Sequence, residues 1–376
     1  MVQSRKGCGC ALVALAAVLL VGGYVGYKFV VQPWLDKRAE EAPPPASGDE
    51  TKVYVLDVGQ GDSILVVTPG GKTALVDAGE PGDGKIILAA LKKYGVDHID
   101  LFVATHAHAD HIGAADEVIK AIPVANVLYS GVPNTTKNYE DFLKAVDEKK
   151  IPLLRAEPGQ SFELGGGARV LVLAPIEPLF KKEDLRSGGN EPNANSVVTR
   201  LDYGAFSMLL TGDAEEQTER ERLIKNGANF RTTVLKVGHH GSKYATSEDF
   251  LKRGEFKHAV ISAGPDNRYG HPSQEVLDRL KAAQVKIYRT DFQGEIVLST
   301  RGQEGDLRIT TARDPKPNED MWAGRQALRD DSAKRGFIDF GDLPPAPKPK
   351  DEARSNANAK NSNAKNANAN RARGGR

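Results

Sequence analysis

Within six positions, His106-Ala107-His108-Ala109-Asp110-His111 brings together three imidazoles and one carboxylate, directly after the apolar run 99–104. Side chains of a strand repeat every two residues, so at the end of an extended segment His106 and His108 project to one side and can reach one metal ion. Asp110 and His111 come one step later, where the chain turns toward a helix, and point to a neighbouring position. The pattern predicts a dinuclear metal site. Neutral imidazole with carboxylate suits zinc, manganese or iron rather than calcium or magnesium. Only eight histidines occur in 376 residues, so the cluster does not follow from a histidine-rich composition.

Three further constellations end apolar runs. Thr211-Gly212-Asp213 delivers a carboxylate at a strand terminus, the place from which a ligand bridging two metals would come; the competing reading of Asp213 is the N-cap of a helix over 214–225. Gly238-His239-His240-Gly241 follows the apolar run 234–237 and again puts imidazole at a strand end. Asp77, in Leu75-Val76-Asp77-Ala78-Gly79, closes a third strand, where it either makes turn hydrogen bonds or stands behind a ligand and orients its imidazole. In layered α/β structures ligands gather at strand ends where loops converge.

Two more residues have open roles. His271, with Pro272 in the first turn of a predicted helix, is suited to binding a substrate phosphate, protonating a leaving group or capping the helix, and the anion affinity of a helix N-terminus favours the first two. Asp62 and Ser63 sit on the glycine-rich stretch 59–63, which either lines a ligand groove or only turns the chain. His98 and His258 have polar or basic neighbours and no motif, and read as surface residues.

The elements that must position these groups are short. Residues 53–58, 63–68 and 73–77 read as successive strands separated by Gly59-Gln60-Gly61-Asp62 and Pro69-Gly70-Gly71. A helical repeat over 85–94 follows, then a buried strand over 99–104. Strands are predicted at 169–173, 196–201, 207–211, 233–237, 259–262 and 286–289, and helices near 215–225 and 274–283. Strands alternating with helices after opening hairpins predict an α/β fold with two sheets between outer helices. No internal repeat is visible.

An apolar content of 40% supports a sizeable core, and a formal net charge of +1 excludes a protein that binds nucleic acid through bulk positive charge. The two cysteines, Cys8 and Cys10, lie at the start of an N-terminal apolar segment, so they cannot ligate the histidine cluster and form no disulfide framework. Between Lys6 and Lys28 run 21 uncharged residues, enough for a helix of roughly 30 Å, the thickness of a bilayer core. The segment exits through Tyr24, Tyr27, Lys28 and Trp34, which favour the membrane interface, and the cysteines precede it, unlike those of a lipoprotein signal. Residues 1–35 therefore read as an uncleaved transmembrane anchor, with Arg5 and Lys6 inside and the remainder outside the cytoplasm. Residues 36–51, with Pro43-Pro44-Pro45, read as a spacer, 52–313 as the catalytic domain, and 314–376 as a disordered low-complexity tail. Eight basic residues between Lys348 and Arg376 make that tail either an arm for acidic polymers or a solvated end without a partner.

The runs 105–111, 211–213 and 238–242 together resemble those of a metallo-β-lactamase-fold hydrolase. Leu56-Asp57-Val58-Gly59-Gln60-Gly61-Asp62-Ser63 and Tyr269-Gly270-His271-Pro272 narrow the resemblance to the hydrolase domain of the ComEC competence proteins, over about 52–313. The resemblance implies an αββα sandwich with two metal ions, zinc or alternatively manganese, in a groove between the sheets. It implies His106 and His108 on one metal, Asp110 and His111 on the other, Asp213 as the bridge, and His239 completing the second set with His240 as its alternate. Many superfamily members supply a third imidazole to the first metal from a loop before the bridging aspartate. This chain has no histidine between His111 and His239, which leaves that position to water, Asn195 or a substrate oxygen.

Two divalent ions in such a groove lower the pKa of a shared water and hold oxygens of the scissile group, with Asp110 suited by type to orient the resulting hydroxide or take its proton. The expected activity is that of a membrane-anchored, metal-dependent hydrolase, a phosphodiesterase or nuclease acting on DNA or related phosphodiesters outside the cytoplasm. The rival readings are a phosphorylcholine-type esterase of envelope polymers and a non-catalytic surface binder of acidic polymers.

Overall fold

The computed structural model of the chain describes residues 49–186, 190–265 and 267–325. The anchor expected over 1–35, most of the spacer and the tail beyond Arg325 lie outside the described residues. Among those described, no helix is long and apolar enough to cross a membrane.

β1 (Thr51–Val55) pairs antiparallel with β2 (Ile64–Val67), and β2 with β3 (Thr73–Val76). The helix Gly84–Lys93 then carries the chain over to β4 (Leu101–Ala104), parallel to β3. β5 (Val127–Tyr129), β6 (Leu153–Arg155), β14 (Ile296–Thr300) and β15 (Arg308–Thr311) complete an eight-stranded sheet in the order β15-β14-β1-β2-β3-β4-β5-β6. The second sheet has seven strands, β13-β12-β11-β10-β9-β8-β7. Its members are β7 (Ser161–Glu163), β8 (Ala168–Ala174), β9 (Val198–Tyr203), β10 (Phe206–Leu210), β11 (Val234–Lys236), β12 (His258–Ile261) and β13 (Lys286–Arg289).

The alternation of strand side chains builds the layers. Val53, Val55, Ile64, Val66, Ala74, Val76, Leu101 and Val103 form one buried cluster with Val170, Val172, Leu201, Met208, Leu210 and Val234 of the other sheet. The residues between them, Tyr54, Leu65, Leu75 and Phe102, face the opposite way, onto Ile87, Leu91, Val118 and Phe142 of the helices outside the first sheet. Leu171, Leu209, Leu235 and Ile261 do the same on the second sheet, against Leu223, Phe250, Val276 and Leu277. Three cores from one period-2 pattern give the αββα order expected.

β3 and β4 are parallel, as are β10, β11 and β12, so their carboxyl ends share an edge within each sheet. Asp77 and the 105–111 run leave one such edge; Asp213, the 238–241 turn and Ser262 leave the other.

Two expectations are corrected here. The helix predicted over 215–225 is one short α turn, Glu216–Thr218, continuing as the π turn Glu219–Ile224. The domain also does not stop at Arg313. Buried Arg289 donates to the carbonyl oxygens of Met321 and Ala323, and Arg325 pairs with Asp291 at 2.7 Å, so residues 314–325 stay on the domain although they carry no apolar period.

Candidate metal centre

The site is built outward from Asp77. Its backbone enters the left-handed region at φ 62°, and its buried carboxylate accepts at Oδ1 from Thr105 N (2.8 Å) and at Oδ2 from Thr105 Oγ1 (2.7 Å) and His111 Nδ1 (2.7 Å). A hydroxyl carries one hydrogen. Thr105 Oγ1, donating to Asp77, must therefore accept at its contact with His106 Nδ1, 3.1 Å away. One carboxylate thus fixes the tautomers of both rings, so that in their neutral forms Nε2 of His106 and of His111 carries the lone pair. His240 is fixed from the other sheet, its Nδ1 donating to the Ser262 carbonyl at 3.1 Å.

These lone pairs converge. His111 Nε2 lies 3.2 Å from His240 Nε2 and 3.1 Å from Asp213 Oδ1, and Asp110 Oδ2 lies 3.4 Å from His240 Nε2. Asp213 Oδ2 faces the other way, 3.8 Å from His106 Nε2, and His108 Nδ1 is 3.0 Å from that same nitrogen. Two ligand sets result, Asp110-His111-Asp213-His240 and His106-His108-Asp213, each with donor atoms within 4.8 Å of one another. Asp213 is common to both, with one oxygen toward each. Its Oδ1 is buried without a hydrogen-bond donor in line, as suits an atom aimed at a cation. Two acceptors facing at 3.2 Å repel unless positive charge stands between them. Imidazole and carboxylate in these numbers fit two divalent transition ions.

The titration behaviour shows the same demand for positive charge. Burial disfavours the charged form of His111, but Asp213, Asp77 and Asp110 lift its pKa well above the ordinary histidine value. Burial and the His111 charge drive His106 well below it. Burial also opposes ionisation of Asp213 and Asp110, yet the charge on His111 holds both carboxyls below the usual carboxylate range.

Residues 56–264 match the Metallo-beta-lactamase superfamily. The chain belongs to that superfamily. It is 32% identical over 284 residues to ComE operon protein 3 of Bacillus subtilis, covering 70% of this chain and 35% of the relative. It is 31% identical over 281 residues to competence protein ComA of Neisseria gonorrhoeae, covering 74% of this chain and 35% of the relative. The chain spans about a third of the length of these curated relatives, which are ComEC-type competence proteins. A diphosphatase of the PhnP family shares 16% identity at a TM-score of 0.38, covering 67% of this chain and 98% of that one. By its family, the protein is a metallo-beta-lactamase-superfamily hydrolase whose fold binds divalent metals.

Within this superfamily frame, the two histidines of the 238–241 turn exchange their expected places. His240 joins Asp110, His111 and Asp213, whereas His239 does not. Both residues have positive φ, 47° and 52°, and the tight turn swings the second ring inward. His239 Nδ1 is held by Glu215 Oε1 at 3.0 Å, and its Nε2 faces Asp213 Oδ2 at 3.6 Å, on the side of the His106 set. Asn195 is not directed at a metal. Its Oδ1 accepts from Phe180 N, and its Nδ2 donates to the carbonyls of Phe180 and Glu191, so its side chain is consumed in tying down the 178–181 loop. The neighbouring Asn193 is the amide beside the site, 3.4 Å from His239 Nδ1. Asp213 is no helix cap; Glu215 occupies that place.

His271 also departs from its predicted setting. Ser273 caps the helix Gln274–Ala282, and Pro272 precedes that cap. Burial, then the charges of His239 and His240, push the His271 pKa down to about 3, so it is neutral near pH 7. Its Nδ1 is buried without a partner among the described residues, and its ring stands edge-on to His239 at 5.4 Å.

Asp62 sits under the site, and Lys236 is its cation. Lys236 Nζ, buried, is 2.8 Å from Asp62 Oδ2, and Asp62 Oδ1 lies 3.8 Å from His240 Nδ1. Asp62, Asp77 and His111 also approach one another closely, but Lys236 already supplies the positive charge there, so this group is a support and not a third metal site. Lys236, Glu215 and Asn193 escaped the sequence reading. Only Lys236 had a visible signal, a single cation inside the apolar run 234–237. Close approach is kept by Gly61, where a Cβ would lie 2.6 Å from the Asp110 carbonyl oxygen.

Proposed function

We propose that the protein is a metal-dependent phosphodiesterase or nuclease acting on DNA or a related phosphodiester, with zinc, or alternatively manganese, as the working ion. The observation that carries the reading is the Asp213 carboxylate, one oxygen turned to each ligand set. When bound, two divalent ions supply an acidified water and hold the oxygens of a scissile phosphodiester as charge builds. The chain's own residues do the rest. Asp110 is the least buried carboxylate of the two sets and is ionised near neutral pH, so it can accept a hydrogen bond from the attacking water and orient it. His271, neutral and with an uncommitted Nδ1, is placed beside His239 to hydrogen-bond a substrate oxygen. DNA is the favoured substrate because the relatives carry competence names.

The test is hydrolysis by the full chain, stripped of metal and reloaded with Zn²⁺ or Mn²⁺, of single-stranded DNA, double-stranded DNA and bis(p-nitrophenyl) phosphate. Chelator-sensitive cleavage of at least one of these esters is expected. Turnover confined to phosphorylcholine esters or β-lactams would sink the proposal. We also propose that residues 1–35 anchor the chain in a membrane with the hydrolase domain outside the cytoplasm, on the strength of the 21 uncharged residues between Lys6 and Lys28. Protease added to intact cells should then degrade the domain; full protection would refute the orientation.

A further inference from the structure

Beside the histidine cluster opens a cleft of about 490 Å³ lined by Gln60, Glu80, Gly264, Asn267, Arg268 and Tyr269. Its walls run directly into the metal centre. Gln60 lies two residues before Asp62, Glu80 three after Asp77, and Gly264 two after Ser262. Tyr269, 55% exposed, stacks on the His271 ring at 5.9 Å and 18°, and His271 in turn contacts His239.

The cleft is preformed. Asn267 donates from Nδ2 to the carbonyls of Gly264 and His271 and accepts from His271 N at Oδ1, which closes the loop carrying Tyr269. Gln60 Oε1 accepts from Gly264 N, leaving Gln60 Nε2 buried at the cleft wall without a partner among the described residues. A buried donor left unmade is costly, and a ligand carbonyl would relieve it. The Arg268 guanidinium lies 5.1 Å from the Tyr269 ring centre.

The charge balance identifies the occupant. Among the described residues the cleft is lined by one cation, Arg268, and one carboxylate, Glu80, with no excess of positive charge, so it is not built for a phosphate, whose charge belongs at the metal centre. A flat neutral group with donors and acceptors on its edge fits better. We infer, building on the phosphodiesterase reading, that this cleft receives the nucleobase next to the scissile phosphodiester, stacked on Tyr269 with Gln60 Nε2 donating to its edge. Base stacking on an aromatic ring is tolerant of sequence, and a base within a duplex must first be extruded. The substrate class is therefore unpaired nucleic acid.

The test compares two chromogenic esters that differ in the nucleoside, thymidine 5′-(p-nitrophenyl phosphate) and methyl p-nitrophenyl phosphate, using the metal-loaded full chain. Tyr269→Ala should lower kcat/KM for the nucleoside ester about tenfold more than for the methyl ester, mainly through KM, while Tyr269→Trp keeps both. Equal losses on the two esters, or none on either, would overturn the inference. A second arm reads binding alone, by fluorescence anisotropy of a short labelled oligothymidylate in the presence of EDTA. There Tyr269→Ala should weaken binding about tenfold and Tyr269→Trp should not, and equal affinities would again overturn it. If the wild-type chain cleaves neither ester with Zn²⁺ or Mn²⁺, the phosphodiesterase reading falls, and the binding arm by itself decides the base cleft.

Discussion

Replacing Asp77 with Asn tests whether the site is tuned from behind. Asn is the informative substitution because it keeps the side-chain shape and tolerates the left-handed backbone at φ 62°, where Ala would add strain. An amide has one acceptor oxygen where the carboxylate has two. With its NH₂ at the Oδ1 position it opposes the Thr105 backbone N–H; with its NH₂ at the Oδ2 position it opposes both Thr105 Oγ1–H and His111 Nδ1–H. In the second arrangement His111 escapes only by moving its proton to Nε2, which removes the lone pair that should meet a metal. Either way at least one hydrogen bond to a charged group is lost, worth about 1.5–3 kcal/mol. At about 1.4 kcal/mol per tenfold, that corresponds to a loss of roughly 10- to 100-fold, the usual range for residues supporting a ligand histidine. The assay is competition for Zn²⁺ between the metal-free full chain and a chromophoric chelator, with far-UV circular dichroism as the check on folding. A folded Asp77→Asn chain that binds Zn²⁺ as tightly as wild type would refute the claim that this carboxylate sets the tautomers of His106 and His111.

Two further outcomes follow from buried charges outside the two ligand sets. Lys236→Met should destabilise the domain by about 3–5 kcal/mol by stranding the Asp62 carboxylate, and adding Asp62→Asn should recover most of the loss; simple additivity in a melting experiment would show that the pair is not coupled. Glu219, whose carboxylate accepts from Thr246 N and Ser247 N, has its pKa raised by burial from 4.5 to about 7, so its proton is held more tightly in the folded state. Its contribution is full below pH 4.5 and is lost as pH rises through about 7, a change of about 3 kcal/mol at about 1.4 kcal/mol per pH unit. The stability difference between wild type and Glu219→Gln should therefore shrink from pH 5 to pH 8, and a flat or growing difference would contradict this assignment.

The residues legible in the sequence were those whose role is declared by type and by place on a strand. His106, His108, Asp110, His111 and Asp213 each follow an apolar run, and the parallel strands deliver them to shared edges. The succession of strands and helices after the opening hairpins likewise made the two-sheet fold readable, and the strand residues divide between two cores as such a fold requires. What stayed hidden was set by backbone angles and by partners distant in sequence. No periodicity distinguishes His239 from His240, since two successive left-handed residues decide which ring turns inward. Asn195 looked like a ligand because it stands where others carry imidazole, but its amide is occupied by Phe180 and Glu191. His239, by contrast, lies on the side of the first set. Its Nε2 faces the Asp213 oxygen that also faces His106, and its Nδ1 is held by a carboxylate, as a ligand histidine's is. One dipeptide, His239-His240, then serves both sides of Asp213, with His240 toward Oδ1 and His239 toward Oδ2.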